Sequence, residues 1–279
     1  MTPTTTTTPA VVCRRCNAWP CTCPDGITVI CGDTRRVLAD LTPGQFDLIA
    51  TDPPYSSGGQ FRGDRAQPTS AKYNRAEYEY RPDFAGDSRD QRTYLLWSEL
   101  WLGDCLRLAA PGCALAVFTD WRQLSTVTDA IQVAGWVFRG LAIWDKVQTR
   151  PQKGWFRQDS EFIVLGSAGP LDRSTKEGAK VSPGIFRHFP NPNKRRHPTE
   201  KPVPLMADII GTSPNFQNIL DPFAGAGSTG RAAKDLGRKA TLVEISPEFA
   251  DLAADGLRQD VLLPTPTPTT GEKDAPRLF

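Results

Sequence analysis

Asn218-Ile-Leu-Asp221-Pro222-Phe223-Ala224-Gly225-Ala226-Gly227-Ser228-Thr229 reads as a short apolar strand, a tight turn and the start of a helix. Gly225 and Gly227 permit the turn and let a ligand approach the backbone closely. The helix start offers free N–H groups to an anionic group such as a carboxylate. Glu244 ends the next strand, where a nucleoside-binding fold places an acid for the ribose hydroxyls. The loop lacks the Lys of a phosphate-binding P-loop. Gly230 is set apart from it, and the pattern is taken as distinct from the dinucleotide fingerprint Gly-x-Gly-x-x-Gly. The stretch therefore points to a nucleoside with a small zwitterionic tail.

Outward from this unit, strands and helices alternate. Strands are expected at Ile27 to Cys31, Phe46 to Thr51, Cys113 to Phe118, Trp136 to Trp144, Glu161 to Leu165 and Ala240 to Ile245. Helices are expected around Val37 and Leu38, and over Tyr94 to Ala109, Trp121 to Ala134, Val203 to Ile210, Ser228 to Leu236 and Pro247 to Leu257, with Pro111-Gly112 stopping the second. The alternation predicts an α/β fold: a Rossmann-like, mainly parallel mixed sheet with helices on both faces. At 279 residues the chain has room for one large domain, 27–262, and a small appendage. The Thr/Pro-rich ends, 1–10 and 263–279, cannot bury enough apolar surface to fold and are read as disordered. Residues 56–92 are polar, rich in Gly and Arg, and too long for an ordinary connection, so a mobile loop is expected. Residues 166–196 read as a loop, basic at its end.

Asp52-Pro53-Pro54-Tyr55 follows the strand Phe46 to Thr51. The Asp52 carboxylate and the Pro53 carbonyl can each accept one N–H of an exocyclic amino group, Pro54 stiffens the turn, and Tyr55 can stack on a flat base. Alone, the four residues read equally well as a Pro-Pro turn leaving a strand. Two acceptors on an amino nitrogen favour a pyramidal geometry with its lone pair free, so transfer to it needs positioning more than a strong base. A base must leave its duplex to reach such a pocket. Covalent attack on a base ring would need a Cys nucleophile, and the one Pro-Cys pair, Pro20-Cys21, lies in a thiol cluster instead.

That cluster, Cys13-x2-Cys16-x4-Cys21-x-Cys23 in residues 11–26, has the local density of a structural zinc knuckle, with Cys31 able to replace one ligand. The alternative is free thiols in a flexible arm. The net charge of +2 hides basic runs, among them Arg187, Lys194, Arg195 and Arg196, which suit contact with phosphates or base edges. No apolar run is long enough to span a bilayer and no signal-peptide core is present, so a soluble, cytoplasmic protein is expected.

The two motifs together resemble the S-adenosylmethionine (SAM)-dependent DNA amino-methyltransferases, and their order resembles the permuted beta class. His197-Pro-Thr-Glu-Lys201-Pro202, Gly32-Asp33 and Glu244-Ile-Ser-Pro-Glu248 are similar to further segments of that family. Trp144-Asp145-Lys146 and Phe156-Arg157…Glu161-Phe162 are similar to others, less specifically. The resemblance implies that Asp52, Pro53, Pro54 and Tyr55 hold and stack the target base. It implies that Asp221, Phe223, Gly225, Gly227, Ser228 and Thr229 form the SAM loop, with Glu244 on the ribose, Asp33 near the adenine and Lys201 near the methionine end or bracing the site. It further implies double-stranded DNA as partner, a bacterial or phage-infected cytoplasm, a short target-recognition region at 166–196 and, as in many members, a homodimer. Asp at position 52 leans toward adenine N6 over cytosine N4. The competing readings are an amino-methyltransferase of RNA or protein glutamine, and a non-catalytic zinc- and DNA-binding protein on the same fold.

Overall fold

The computed structural model describes residues 12–18, 21, 23–56, 89–147, 153–171, 181–190 and 200–258. Eight strands form one sheet in the order β1-β8-β7-β2-β3-β5-β4-β6. They are β1 (Ile27–Cys31), β2 (Phe46–Thr51), β3 (Ala109–Thr119), β4 (Val137–Asp145), β5 (Ser160–Ser167), β6 (Ile185–Arg187), β7 (Asn218–Asp221) and β8 (Lys239–Glu244). The helices are α1 (Thr34–Asp40), α2 (Gln91–Leu108), α3 (Leu124–Val133), α4 (Val203–Ile210), α5 (Ser228–Asp235) and α6 (Pro247–Arg258).

β1, β8, β7, β2 and β3 run parallel, β5 runs antiparallel between β3 and β4, and β6 pairs parallel with β4. The strands' alternation sorts their side chains into two apolar layers. Leu48, Ala50, Phe118 and Trp144 face α4, α5 and α6, whereas Ile49, Leu115 and Val117 face α1, α2 and α3. A parallel sheet needs this cover on both faces, which makes its strands continuously apolar. Among the described residues no helix is long and apolar enough to cross a membrane.

Two expectations are corrected. Pro111-Gly112 does not end a helix; it lies inside β3. Ala110 is disfavoured as helix ahead of Pro111, so α2 yields at Leu108 and the strand starts early. The pairing with β2 jumps there from Phe46–Ala109 to Leu48–Ala114, and Gly112 takes φ +79° within the jump. The expected loop 166–196 opens inside β5 and also holds β6, whose three residues are too few for periodicity to register. The rest of that region, 172–180 and 191–196, lies outside the described residues, as do 57–88 of the expected mobile loop and both Thr/Pro ends.

Candidate functional site

Parallel strands present their C-terminal ends on one edge of the sheet, where an α/β fold forms its crevice. Four neighbours, β1, β8, β7 and β2, deliver Asp33, Glu244, the Asp221 loop and Asp52 to this edge in that order. β4 adds Trp144 and Lys146 at its end, and the antiparallel β5 adds Glu161 at its start. These residues line one cleft of about 850 Å³, with Tyr55, Phe223 and Lys201.

The two motifs are bonded to each other. Thr51, the last residue of β2, donates its hydroxyl to Asp221 Oδ1 at 2.7 Å, and Thr229 donates to Asp221 Oδ2. Phe223 N–H also donates to Oδ1, at 3.1 Å. Burial pushes the Asp221 carboxyl up to about 6 against these three donors. Asp221 thus ties the glycine loop to the strand that leads into Asp52.

The loop turns through Gly225 (φ +51°) and Gly227 (φ +87°). Gly225 N–H donates to Glu244 Oε2 at 2.9 Å, and Ser246 N–H donates to Oε1 at 2.8 Å. Each oxygen keeps a second lone pair for a hydroxyl donor. Burial raises the Glu244 carboxyl above its ordinary value. Gly227 is not a wall of the cleft: a Cβ there would stand 2.9 Å from Ala253 Cβ, so this glycine lets α5 start against α6. No side chain caps α5. Gly230 corrects the sequence reading, because 225, 227 and 230 do stand at the Gly-x-Gly-x-x-Gly spacing. A Cβ on Gly230 would meet Leu242 Cδ1 at 2.4 Å, so the third glycine serves close packing of helix on strand.

Across the loop, Phe223 packs edge-on against Trp101 at 5.1 Å between centroids and tilted against Trp97 at 5.4 Å. Asp33 caps α1 by accepting from Arg36 N–H, and Thr34 donates to the Pro222 carbonyl at 2.7 Å. The Thr34 bond ties the segments that follow β1 and β7 to each other across the end of β8.

The other half of the cleft is a charged cluster. Lys201 Nζ lies 2.5 Å from Asp52 Oδ2, 3.1 Å from Glu161 Oε2 and 3.2 Å from the Tyr55 hydroxyl. Lys146 Nζ reaches Glu161 Oε1 at 2.6 Å, and Tyr55 donates to Glu161 Oε2 at 2.9 Å. Lys201 is enclosed by the rings of Tyr55, Phe118 and Trp144, with its ammonium 5.1–5.6 Å from their centres. Burial opposes charge on Asp52, Tyr55, Glu161 and Lys201, and the partners decide the outcome. Two lysines hold the Glu161 carboxyl down at about 2, while burial wins at Asp52 and raises it. For Lys201, the two carboxylates outweigh burial and keep it protonated. Burial, then the neighbouring carboxylates, holds the Tyr55 phenol well above its usual value. Asp52 Oδ1 is buried and has no hydrogen-bond partner among the described residues. An unpaired buried acceptor is costly and calls for a donor beyond the described residues.

The structure brings together Asp33, Asp52, Pro53, Pro54, Tyr55, Lys201, Asp221, Phe223, Gly225, Ser228, Thr229 and Glu244 around one cleft. Lys201 is placed on the Asp52 carboxylate. Arg187 is exposed beside Asp145, 3.2 Å away, while Lys194, Arg195 and Arg196 lie outside the described residues. Sequence reasoning assigned no role to Glu161, Lys146, Trp97 or Trp101. Glu161 and Lys146 stand in segments with a weak resemblance; the Trp pair reads only as an apolar helix face.

Comparison with known proteins agrees with this geometry. The type II methyltransferase M.HpaI of Haemophilus parainfluenzae is 25% identical over 252 residues, spanning 82% of this chain and 73% of that protein. Among solved structures, the M1.HpyAVI–SAM complex has a TM-score of 0.56 at 24% identity, covering 81% of this chain and 98% of that one. The cytosine-N4-specific PvuII DNA methyltransferase has a TM-score of 0.64 at 16% identity, covering 86% and 88%. At such identities the two structures show a common fold. The sequence profile of the N6/N4 DNA methylases matches residues 46–255, from the strand that carries Asp52 through the glycine loop to the last helix, and the chain belongs to that DNA methylase family.

Proposed function

We propose that this chain methylates the exocyclic amino group of a base flipped from double-stranded DNA, with SAM as donor and adenine N6 as acceptor. The observation that carries the reading is the buried, unpartnered Asp52 Oδ1, held in the same cleft as the glycine loop. The residues present fit the donor: Glu244 for ribose hydroxyls, the uncapped start of α5 for a carboxylate, and the Phe223 ring backed by Trp97 for the adenine face. Bound SAM supplies an electrophilic sulfonium methyl. Asp52 Oδ1 accepts one amino N–H and the Pro53 carbonyl the other, which frees the nitrogen lone pair for in-line attack. Lys201 and Glu161 fix the Asp52 carboxylate and the Tyr55 ring, so both meet the base without rearrangement. Asp at the head of the Asp-Pro-Pro-Tyr motif supports adenine over cytosine. Arg187, with Lys194, Arg195 and Arg196, would contact the duplex.

Labelled SAM should transfer methyl to duplex DNA, recovered as N6-methyladenine after digestion to nucleosides. Asp52→Ala should abolish transfer while SAM still binds. Label on cytosine N4 would overturn the base. Label on RNA alone, or SAM binding without DNA methylation across diverse sequences, would overturn the substrate.

A further inference from the structure

Four cysteine sulfurs outside the cleft converge closely enough to hold one ion. The Sγ atoms of Cys13, Cys16, Cys21 and Cys23 all lie within 4.8 Å of one another. Cys13 and Cys21 are 3.4 Å apart, Cys16 and Cys21 3.7 Å, and Cys13 and Cys23 4.0 Å. A disulfide needs about 2.05 Å, and the thiols are free. A thiolate tetrahedron around Zn²⁺ at about 2.3 Å has edges of about 3.8 Å, which these separations bracket. Cys31 is not part of the cluster; its sulfur faces the Ile245 carbonyl at 4.0 Å.

The surroundings match an anionic metal centre. Arg15 is buried and bidentate to Asp25 at 2.6 and 2.7 Å, and Lys234 approaches the same carboxylate at 3.6 Å. Two cations therefore meet one acid beside the sulfurs. Arg15 Nε–H is buried with no acceptor among the described residues. Four thiolates around a divalent ion carry net negative charge, which this guanidinium would offset.

We propose that Cys13, Cys16, Cys21 and Cys23 bind a single structural Zn²⁺ that fastens the N-terminal segment along the edge of the sheet. β1 is the end strand, and Cys13 forms an antiparallel bridge with Ile30 on its open side. Arg14 N–H donates to the Val29 carbonyl at 2.7 Å. Arg15 reaches the carbonyls of Ile27 and Leu257, and Arg258 returns to those of Arg14 and Arg15. The segment thus covers an edge that would otherwise pair with other chains. Four protein ligands leave no open position, and none of the four lines the cleft, so the ion is structural.

The full chain, purified without chelator, should carry about one zinc per molecule by elemental analysis. Co²⁺ exchanged into the wild type should give thiolate-to-cobalt charge-transfer and tetrahedral d–d bands. Cys13→Ser with Cys16→Ser should lose both signals, and Cys31→Ser should keep them. Chelation of the wild type should speed amide exchange at Arg14, whose N–H donates to the Val29 carbonyl. Absence of zinc together with a featureless cobalt spectrum would overturn the site, stoichiometric iron would overturn the metal, equal loss in Cys31→Ser would overturn the ligand set, and unchanged exchange at Arg14 would overturn the fastening role.

Discussion

Replacing Lys201 with methionine isolates the charge at the centre of the cleft. Methionine keeps most of the aliphatic packing against Tyr55, Phe118 and Trp144, so little apolar contact is lost. Glu161 keeps Lys146 at 2.6 Å. Asp52 does not fare so well: Oδ2 loses the ammonium at 2.5 Å and Oδ1 already lacks a partner. Orphaning one member of a buried ion pair costs about 3–5 kcal/mol. The carboxyl escapes part of that cost by taking a proton, and about 3 kcal/mol corresponds to roughly two pH units. In the proposed reaction an ionised Asp52 is the stronger acceptor for an amino N–H, so activity should fall as pH falls through its pKa. The acid limb of kcat/KM in Lys201→Met should therefore move up by roughly two units, with the urea midpoint lowered to match. Adding Asp52→Asn should restore about 2 kcal/mol of stability, because no uncompensated charge remains at that position. A loss below about 1 kcal/mol with an unmoved acid limb would refute Lys201 as the counter-ion of Asp52.

Gly227→Ala should destabilise the fold by about 2 kcal/mol or more, since it forces an L side chain to φ +87° and a Cβ to within 2.9 Å of Ala253; a change under about 0.5 kcal/mol in denaturant unfolding would contradict the packing role. Asp221 sets a pH window of its own. Its native pKa, about 6, lies above the ordinary carboxyl value of 3.8, so between the two the folded state holds a proton that the unfolded chain has released. Stability should fall as pH rises from about 4 to about 6, and Asp221→Asn should remove about 3 kcal/mol of that fall. Asp52 and Glu244, also raised, add to the fall with the same sign, whereas Glu161, held at about 2, loses its contribution only as pH drops below the ordinary carboxylate range. Unfolding free energies between pH 4 and 7 that show no difference between wild type and variant would sink the Asp221 assignment.

Most of the fold could be read from the chain because each strand or helix announces itself locally. β1, β2, β7 and α4 fall at the residues their patterns mark. β6 could not be read, since three residues are too few for a pattern to register. The early start of β3 was missed because a proline normally tells against a central strand, and here a register jump absorbs it. The binding loops were legible because glycine and proline constrain the backbone at fixed local spacing. The charged cluster was not: Asp52, Lys146, Glu161 and Lys201 are scattered along the chain and meet only after β4 and β5 close on β2 through β3. The knuckle cysteines were legible by density, but that their segment lies along β1 is a property of the fold.

The hydroxyl of Thr51 and the carboxylate of Asp221 are 170 positions apart in sequence. Closing a flexible loop of that length costs about 1.5 kcal/mol more entropy than closing one of thirty residues. The two halves of the cleft therefore cannot join early, and contacts of such range slow folding. The complete cleft should appear late, when β2 and β7 zip. Local opening that separates these two strands should silence the enzyme in one step, so that loss of activity and loss of central-sheet protection coincide along a denaturation curve.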